Sequence, residues 1–383
     1  MDTFYSLKNL RQIYLSANLL LTIDPKIFNG LHFLTDFVIG LNKITLIDKL
    51  FFKNLSSLQL INLSTNKLTH FDAGAFDSLA NLKYLEISSN NLTNISEGLF
   101  NQLSNLEALI MTSCSIINIA PDTFSGLINL QYLYLNYNHL TSINLTTYNG
   151  LGILQKANLG YNQIESIKSG TLNGLNMLVE LDLTYNKITT IDNNAFDQLT
   201  NLQFLYLDSN RIYTIEPTLF KSLKNLQWLL VDANNITNIQ ANTFAGLNIS
   251  QLGLSHNRLT HIEENAFSGI VSLKTLRLNA NLISYLNKTT FDSLPSLNNL
   301  FLNNNKLKRI ESYSFAGLKN ITNIILEQND IDYFDKEALE GLVTLEKVCM
   351  HGNTMTTFFP WELNHLCLTN PKCVIEKEKC LIF

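Results

Sequence analysis

The sequence predicts an α/β solenoid of about 15 repeats, with a parallel β-sheet along its concave side and loops and short turns on its convex side. Three observations predict it. Asparagine recurs every 24 residues, apolar residues alternate ahead of each asparagine, and phenylalanine recurs once per repeat further along. Such a period indicates repeats that bury their apolar faces only by stacking on their neighbours.

The column of recurring asparagines defines the repeat frame, that is, the position of each residue within its repeat. One interval is 23 residues instead of 24, and one position holds cysteine. The column is Asn18, Asn42, Asn66, Asn90, Cys114, Asn138, Asn162, Asn186, Asn210, Asn234, Asn257, Asn281, Asn305, Asn329 and Asn353. An amide side chain both donates and accepts hydrogen bonds, so a buried column can satisfy backbone groups of adjacent turns. We expect Cys114 to be a small buried substitute without a disulfide partner.

Ahead of each asparagine runs the pattern L-x-x-L-x-L-x-x-N-x-L, as in residues 82–92. Because alternate residues of a strand point to opposite faces, the L-x-L core predicts a short strand with its leucines inward. The phenylalanine column predicts an aromatic spine in the convex half of the core: Phe28, Phe52, Phe76, Phe100, Phe124, Phe196, Phe220, Phe244, Phe267, Phe291 and Phe315. Tyr148 and Leu172 interrupt it, and we expect looser packing or a bend there.

The composition of the chain argues against some classes of binding partner. The chain is 46% apolar and 15% charged, with a formal net charge of −5. Nucleic acid and anionic membranes require a basic face, so neither is predicted as the main partner. No apolar stretch approaches the length of a membrane span, and the chain shows no export signal, so we predict no membrane insertion of this segment.

The two ends differ. Phe4 and Leu7 repeat the spacing of Phe28 and Leu31, so we interpret residues 1–7 as the remnant of a preceding repeat in a longer array. Residues 8–358 are predicted to form the solenoid and residues 359–383 a cysteine-containing cap. A strand edge without a cap favours association, which makes a homodimer or heterodimer an open alternative.

Four cysteines cluster near the C-terminus: Cys349, Cys367, Cys373 and Cys380. An even number in so short a segment predicts two disulfides, in any of three connectivities. Zinc is the rival ligand, but intervals of 18, 6 and 7 residues lack the C-x2-C pairs typical of zinc sites. A bond to another chain also remains open.

Glycosylation sequons occur nine times, where roughly seven would arise by chance. The candidate acceptors are Asn54, Asn91, Asn94, Asn144, Asn235, Asn248, Asn287 and Asn320. The ninth, Asn62, lies on a predicted concave strand, where a glycan would block the face. The sequence has no catalytic motif, cofactor motif or metal-ligand spacing, so no enzymatic function is predicted.

The same frame fixes which strand residues face solvent on the concave side. Large aromatic residues and acids concentrate there in repeats six to ten. The candidate ligand-binding residues are Tyr132, Tyr134, Tyr137, Tyr161, Glu180, Asp182, Tyr185, Phe204, Tyr206, Asp208, Trp228 and Asp232. Exposed tyrosine and tryptophan beside acids are typical of interface hot spots, and the acids favour a protein ligand with basic and aliphatic groups. The plainer alternative is that aromatic residues suit strands.

The 24-residue period with its asparagine ladder and phenylalanine spine resembles the extracellular class of leucine-rich repeats. This class includes Toll-like receptor ectodomains and secreted insect immune proteins. The resemblance covers residues 8 to about 358. It implies a non-catalytic extracellular horseshoe that recognises proteins or microbial patterns in innate immunity. The cysteines depart from the C-x-C cap of receptor ectodomains, and a structural or assembly protein acting through its ends is the alternative function.

Overall fold

The computed structural model describes residues 4, 6–144, 146–355 and 374–376. The chain forms two compact units, residues 1–202 and 203–383, which we call unit 1 and unit 2. Both are built from the predicted repeat. Each repeat contributes one three-residue strand, and within each unit the strands of neighbouring repeats pair in parallel and in register.

In unit 1 each strand buries its central residue, as the L-x-L pattern predicts, and leaves its outer residues more exposed. The strands are β1 (Gln12–Tyr14), β2 (Asp36–Val38), β3 (Leu60–Asn62), β4 (Tyr84–Glu86), β5 (Ala108–Ile110), β6 (Tyr132–Tyr134), β7 (Lys156–Asn158) and β8 (Glu180–Asp182).

In unit 2 the strands between residues 204 and 349 also bury their central residue, and three of them bury their last residue as well: Gly253, Ile325 and Cys349. Its strands are β9 (Phe204–Tyr206), β10 (Trp228–Leu230), β11 (Gln251–Gly253), β12 (Thr275–Arg277), β13 (Asn299–Phe301), β14 (Asn323–Ile325), β15 (Lys347–Cys349) and β16 (Val374–Glu376). Strand β16 lies in the segment predicted as a cap and pairs in parallel with β15. The division at residues 7 and 358 stays a prediction, because most of the last segment lies outside the described residues.

The side away from the sheet consists of turns. Three pairs of two-residue strands occur there: Asn94–Ile95 with Asn118–Ile119, Ser166–Ile167 with Thr190–Ile191, and Arg309–Ile310 with Tyr333–Phe334. The only helical segments in the described part of the chain are 3-10 turns at Pro25–Phe28 and Lys336–Leu339. The predicted solenoid is thus confirmed, and short turns supply nearly all of its non-strand structure.

The asparagine ladder has the predicted chemistry. In one repeat, the Asn162 Nδ2 donates to the carbonyls of Leu135 at 3.0 Å, Leu159 at 3.0 Å and Gly160 at 3.2 Å. Its Oδ1 accepts from the amide of Leu140 at 3.0 Å. One buried side chain therefore ties its own turn to the preceding repeat on both the donor and the acceptor side.

Cys114 is buried and free, as expected. Its Sγ donates to the carbonyl of Ile87 at 3.2 Å, which replaces one bond of the amide. The acceptor bond is replaced differently: the amide of Leu92 donates to the Cys114 backbone carbonyl at 2.8 Å. The following residue, Ser115, has a φ of 59°. The backbone has thus rotated locally to supply an acceptor that the thiol provides poorly. Burial raises the pKa of the thiol to about 11.

The phenylalanine spine is buried at all eleven positions. Ring centroids in successive repeats lie 6.0 to 6.2 Å apart from Phe52 to Phe124, and 6.1 to 6.4 Å apart from Phe220 to Phe315. Where the spine is interrupted, Tyr148 and Leu172 are buried in its place. The convex half of the core therefore remains filled through these repeats.

A second set of asparagines, which sequence analysis missed, lies just before the first leucine of the frame. Their Nδ2 atoms donate to a carbonyl of the preceding repeat at 2.7 to 2.9 Å, and the members are Asn81, Asn105, Asn129, Asn201 and Asn320. In two consecutive repeats Ile153 and Met177 hold this position and are exposed by 39% and 50%. Repeats six and seven thus differ from their neighbours on this side as well as in the spine.

We expect the Asn162→Ala substitution to lower the free energy of unfolding by about 3 kcal/mol, because it leaves buried carbonyls and an amide without partners. Asn173→Ala is the matched control, since Asn173 is exposed in the same repeat. Urea unfolding of both variants measures the difference. Equal losses would contradict a stabilising function for the ladder.

Candidate ligand-binding surface

The twelve candidate residues lie in two groups, one in each unit. Those of unit 1, which we call the unit 1 face, are Tyr132, Tyr134, Tyr137, Tyr161, Glu180, Asp182 and Tyr185. Those of unit 2, the unit 2 face, are Phe204, Tyr206, Asp208, Trp228 and Asp232. All twelve are exposed or half-buried, whereas the strand leucines between them are buried. The candidates on the strands face away from the core, as the alternation predicts, and the three tyrosines that precede ladder asparagines are exposed as well.

The unit 1 face contains a stack of three tyrosines from successive repeats. The ring centroids of Tyr137 and Tyr161 are 4.2 Å apart with an interplanar angle of 12°, and those of Tyr161 and Tyr185 are 4.3 Å apart at 10°. The side chains remain 50%, 40% and 52% exposed. A hydrogen bond with the Tyr137 hydroxyl is the main cause that raises the pKa of Tyr161 to about 12. We call these residues the tyrosine stack.

Each tyrosine of the stack immediately precedes a ladder asparagine and has a left-handed backbone, with φ of 56°, 53° and 51°. A bulky side chain is uncommon in this conformation. The same position in other repeats is also left-handed and holds a range of side chains: Ala17, Leu41, Thr65, Ser89, Ser113, Ser209, Ala233, His256, Ala280, Asn304 and Gln328. The fold requires the backbone conformation at this position but not an aromatic side chain.

Beside the stack, the charges of the unit 1 face are partly paired. The Lys156 Nζ lies 2.8 Å from Glu180 Oε1 across β7 and β8, with both side chains about one-third exposed or less. The same ammonium lies 5.9 Å from the centre of the Tyr134 ring. The Asp182 Oδ1 accepts from the amide of Thr184 at 2.9 Å. The face is consequently closer to neutral than its acids alone suggest.

The unit 2 face has a compact aromatic pair. Phe204 and Trp228 lie opposite each other on β9 and β10, with ring centroids 5.4 Å apart and an interplanar angle of 86°. An edge-to-face contact of this kind fixes the two rings relative to each other. Tyr206 lies opposite Leu230 in the same strand pair, so the two strands present an apolar and aromatic surface.

The two acids of the unit 2 face bind backbone amides of the following repeats. The Asp208 Oδ1 accepts from the amide of Asp232 at 2.8 Å, and the Asp232 Oδ1 accepts from the amide of Ser255. Burial is the main cause that raises the pKa of Asp232, and its bonds with Ser255 oppose this shift. Gly253 makes room for the carboxylate, because a Cβ there would lie 2.6 Å from Asp232 Oδ2.

A further network on unit 1 was not among the predicted site residues. The Glu86 carboxylate accepts from Asn62 Nδ2 at 2.8 Å and from the Tyr84 hydroxyl at 3.1 Å. Burial, followed by the charge of Glu86, raises the pKa of Tyr84 to about 12. The Asn62 sequon is thus engaged on the sheet face. Tyr84 and Glu86 occupy the same columns as the candidates, so the repeat frame was the signal that could have found them.

The candidate modification sites are placed as follows. The acceptors Asn54, Asn91, Asn94, Asn144, Asn248 and Asn320 are exposed, and Asn235 and Asn287 are half-buried. Asn320 also belongs to the second set of asparagines. Cys349 is buried at the end of β15, and Cys367, Cys373 and Cys380 lie outside the described residues. The glycans and the two disulfides stay predictions.

Within residues 6–144 and 146–355, no group of three or more histidine, cysteine or acidic side chains is placed to hold a metal ion. No helix of the described chain is both long and apolar enough to cross a membrane.

Known profiles of protein families identify the family of this chain. A profile of the leucine-rich repeat matches six overlapping segments that together run from residue 32 to residue 259, more than half of the chain. The chain belongs to the leucine-rich repeat family. A second profile, the BspA type leucine-rich repeat region, matches residues 237–359. No curated protein matches the chain in sequence.

Solved structures share this leucine-rich repeat fold. Toll of Drosophila, in complex with Spatzle, is 21% identical with a TM-score of 0.77 over 92% of this chain and 52% of the matched chain. TLR13 in complex with ssRNA13 is 22% identical with a TM-score of 0.68 over 96% and 52%. A leucine-rich repeat protein of Leptospira interrogans is 26% identical with a TM-score of 0.69 over 98% of both chains. The present chain spans about half of the length of the Toll and TLR13 chains.

Because burial raises the pKa of Asp232, its charged form costs stability at neutral pH, and this cost disappears as the pH falls through the raised pKa. Asp232→Asn keeps the acceptor for Ser255 without the charge. We expect the variant to be more stable than the original protein at neutral pH, and the difference to vanish in acid. Urea unfolding of both proteins as a function of pH measures this, and a difference that does not change with pH would refute it.

Proposed function

We propose that the chain is a non-catalytic extracellular recognition protein that binds a protein or microbial-pattern ligand on the open face of its sheet and acts in innate immunity. The tyrosine stack is the observation that carries the proposal. It holds three stacked aromatic side chains in solvent at a position where no other repeat of the described chain has phenylalanine, tyrosine or tryptophan. Since neither the core nor the ladder needs these rings, recognition is the function that explains them best.

The aromatic pair of unit 2 supports the same function independently. Rigid aromatic side chains on strands give large contact areas at little cost in side-chain entropy. The half-buried Asp208 and Asp232 follow Tyr206 and Leu230 along the two strands, and their negative charge favours lysine or arginine on a ligand. The preferred partner is therefore a protein with basic and aliphatic groups on its surface.

The extracellular and immune parts of the proposal are supported by analogy. The Toll structure is described as a hub in development and innate immunity, and TLR13 is seen bound to single-stranded RNA. Exposed sequon asparagines and the clustered C-terminal cysteines fit glycosylation and disulfide formation in an oxidising compartment. These features together favour secretion or an ectodomain.

To test the proposal, the protein is screened against displayed extracellular proteins and microbial polymers. Affinity for the ligand found is then measured by biolayer interferometry. We expect Trp228→Ala or Tyr161→Ala to weaken binding by about 2 kcal/mol, which is roughly 30-fold. The matched controls are Tyr213→Ala and Tyr285→Ala, since these tyrosines are 52% and 50% exposed away from the sheet face. Equal effects of candidates and controls would exclude the sheet face as the site.

Assembly through the first repeat is the second candidate function. Tyr14, Leu19 and Leu21 in this repeat are exposed by 61%, 74% and 64%, more than the large apolar residues of the other repeats of unit 1. Apolar side chains that are exposed together favour contact with another chain. Light scattering should then show a dimer that Leu19→Lys dissociates, and a monomer at all concentrations would count against assembly.

A further inference from the structure

The tyrosine stack ends abruptly within unit 1. Tyr161 has a neighbouring ring on each side, whereas Tyr137 stacks only on Tyr161 among the described residues. The amide of Ser113 donates to the carbonyl of Asn136 at 3.1 Å, which places Ser113 in the repeat beyond Tyr137. Ser113 has the same left-handed backbone, with a φ of 56°, but a side chain too small to cover the ring. One face of the Tyr137 ring is therefore left open.

Hydroxyl groups continue the column beyond this open face. Ser89 occupies the equivalent position one repeat before Ser113, and its amide donates to the carbonyl of Thr112 at 2.8 Å. Both serines are exposed. In the described part of the chain, neither hydroxyl has a hydrogen-bond partner. The arrangement is a shelf with two unused hydroxyls as its floor and an aromatic ring as its end wall, which we call the Tyr137 shelf.

The two columns that flank the Tyr137 shelf contain no lysine, arginine, aspartate or glutamate. On the sheet side lie Ser88, Thr112 and Asn136, and the Thr112 hydroxyl donates to Asn136 Oδ1 at 2.9 Å. On the other side lie Asn91, Ser115 and His139. A neutral ligand rich in hydroxyls would find donors and acceptors on both sides.

We propose that the Tyr137 shelf binds a neutral oligosaccharide. One sugar ring packs its C–H face on Tyr137, whose ring face is electronegative, and its hydroxyls bind Ser113, with Ser89 one strand spacing further along the column. Because the stacked sugar is parallel to the Tyr137 ring, a linear glycan continues from it across the column. The site lies within unit 1 and does not depend on the proposed protein ligand.

The rest of the stack gives the wall its rigidity. Tyr161 supports Tyr137 from behind at 4.2 Å and is itself supported by Tyr185 at 4.3 Å. A ring held in this way loses little conformational freedom when a ligand packs against it, which favours binding. The stack is therefore a buttress, and its outermost ring is the contact surface.

The test is a titration of the unglycosylated protein with cellotriose, followed by saturation-transfer NMR and calorimetry. We expect weak, saturable binding to the original protein, weakened by about tenfold or more in Tyr137→Ala and in Ser113→Tyr. Ser113→Tyr is the sharper variant, because it fills the shelf with a residue type that the next three repeats already carry at this position. Tyr137→Phe keeps the ring face and should retain binding.

Trp228→Ala is the matched control. Trp228 lies in unit 2, outside the Tyr137 shelf, so the variant should leave cellotriose binding within about twofold while weakening the protein ligand of the proposed function, and the two proposals fail separately. Circular dichroism confirms that each variant is folded. Absence of cellotriose binding, or binding that Ser113→Tyr does not change, would overturn the proposal. It would also be overturned if p-cresol, but not cellotriose, bound in a manner blocked by Ser113→Tyr, because the shelf would then accept aromatic side chains of a protein.

Discussion

The hydrogen bonds of the ladder asparagines are the constraint on which the rest of the structure depends. A 24-residue coil can turn from its strand to its outer loop only if the backbone groups at the corner find partners inside the protein. Each ladder amide supplies both donors and an acceptor from one side chain, as the four bonds of Asn162 illustrate. Cys114 shows the strength of this requirement, since the backbone itself rotates where the side chain lacks an adequate acceptor.

Much of the fold could be predicted because the repeat frame is written in residue types that have one favourable environment. Leucines at alternate positions must face inward, and the phenylalanine column has no place other than the core. The second set of asparagines was missed because each member stands just before a leucine, where a polar residue is expected at the surface anyway. The backbone rotation at Cys114 could not be predicted either, because it follows from the geometry of a missing bond.

For the candidate site, too, some features could be predicted from the sequence and others could not. The repeat period and the alternation of strand residues indicated exposed or half-buried positions for the candidates on the strands, but the sequence did not indicate what their charges do. Asp208 and Asp232 bind backbone amides, and Glu180 pairs with Lys156. These contacts depend on distances of a few ångströms between neighbouring repeats. The stacking of Tyr137, Tyr161 and Tyr185 follows from left-handed backbone conformations. A sequence predicts such a conformation only where glycine is present.

The left-handed position before each ladder asparagine can change its side chain as such a protein diverges. Its backbone is fixed by the hydrogen bonds on either side, yet its side chain ranges from alanine to tyrosine within this one chain. Substitutions at this position can therefore change the side chains of a continuous surface column, one repeat at a time, with little effect on the core. Such a protein can acquire new ligand contacts while its architecture stays constant.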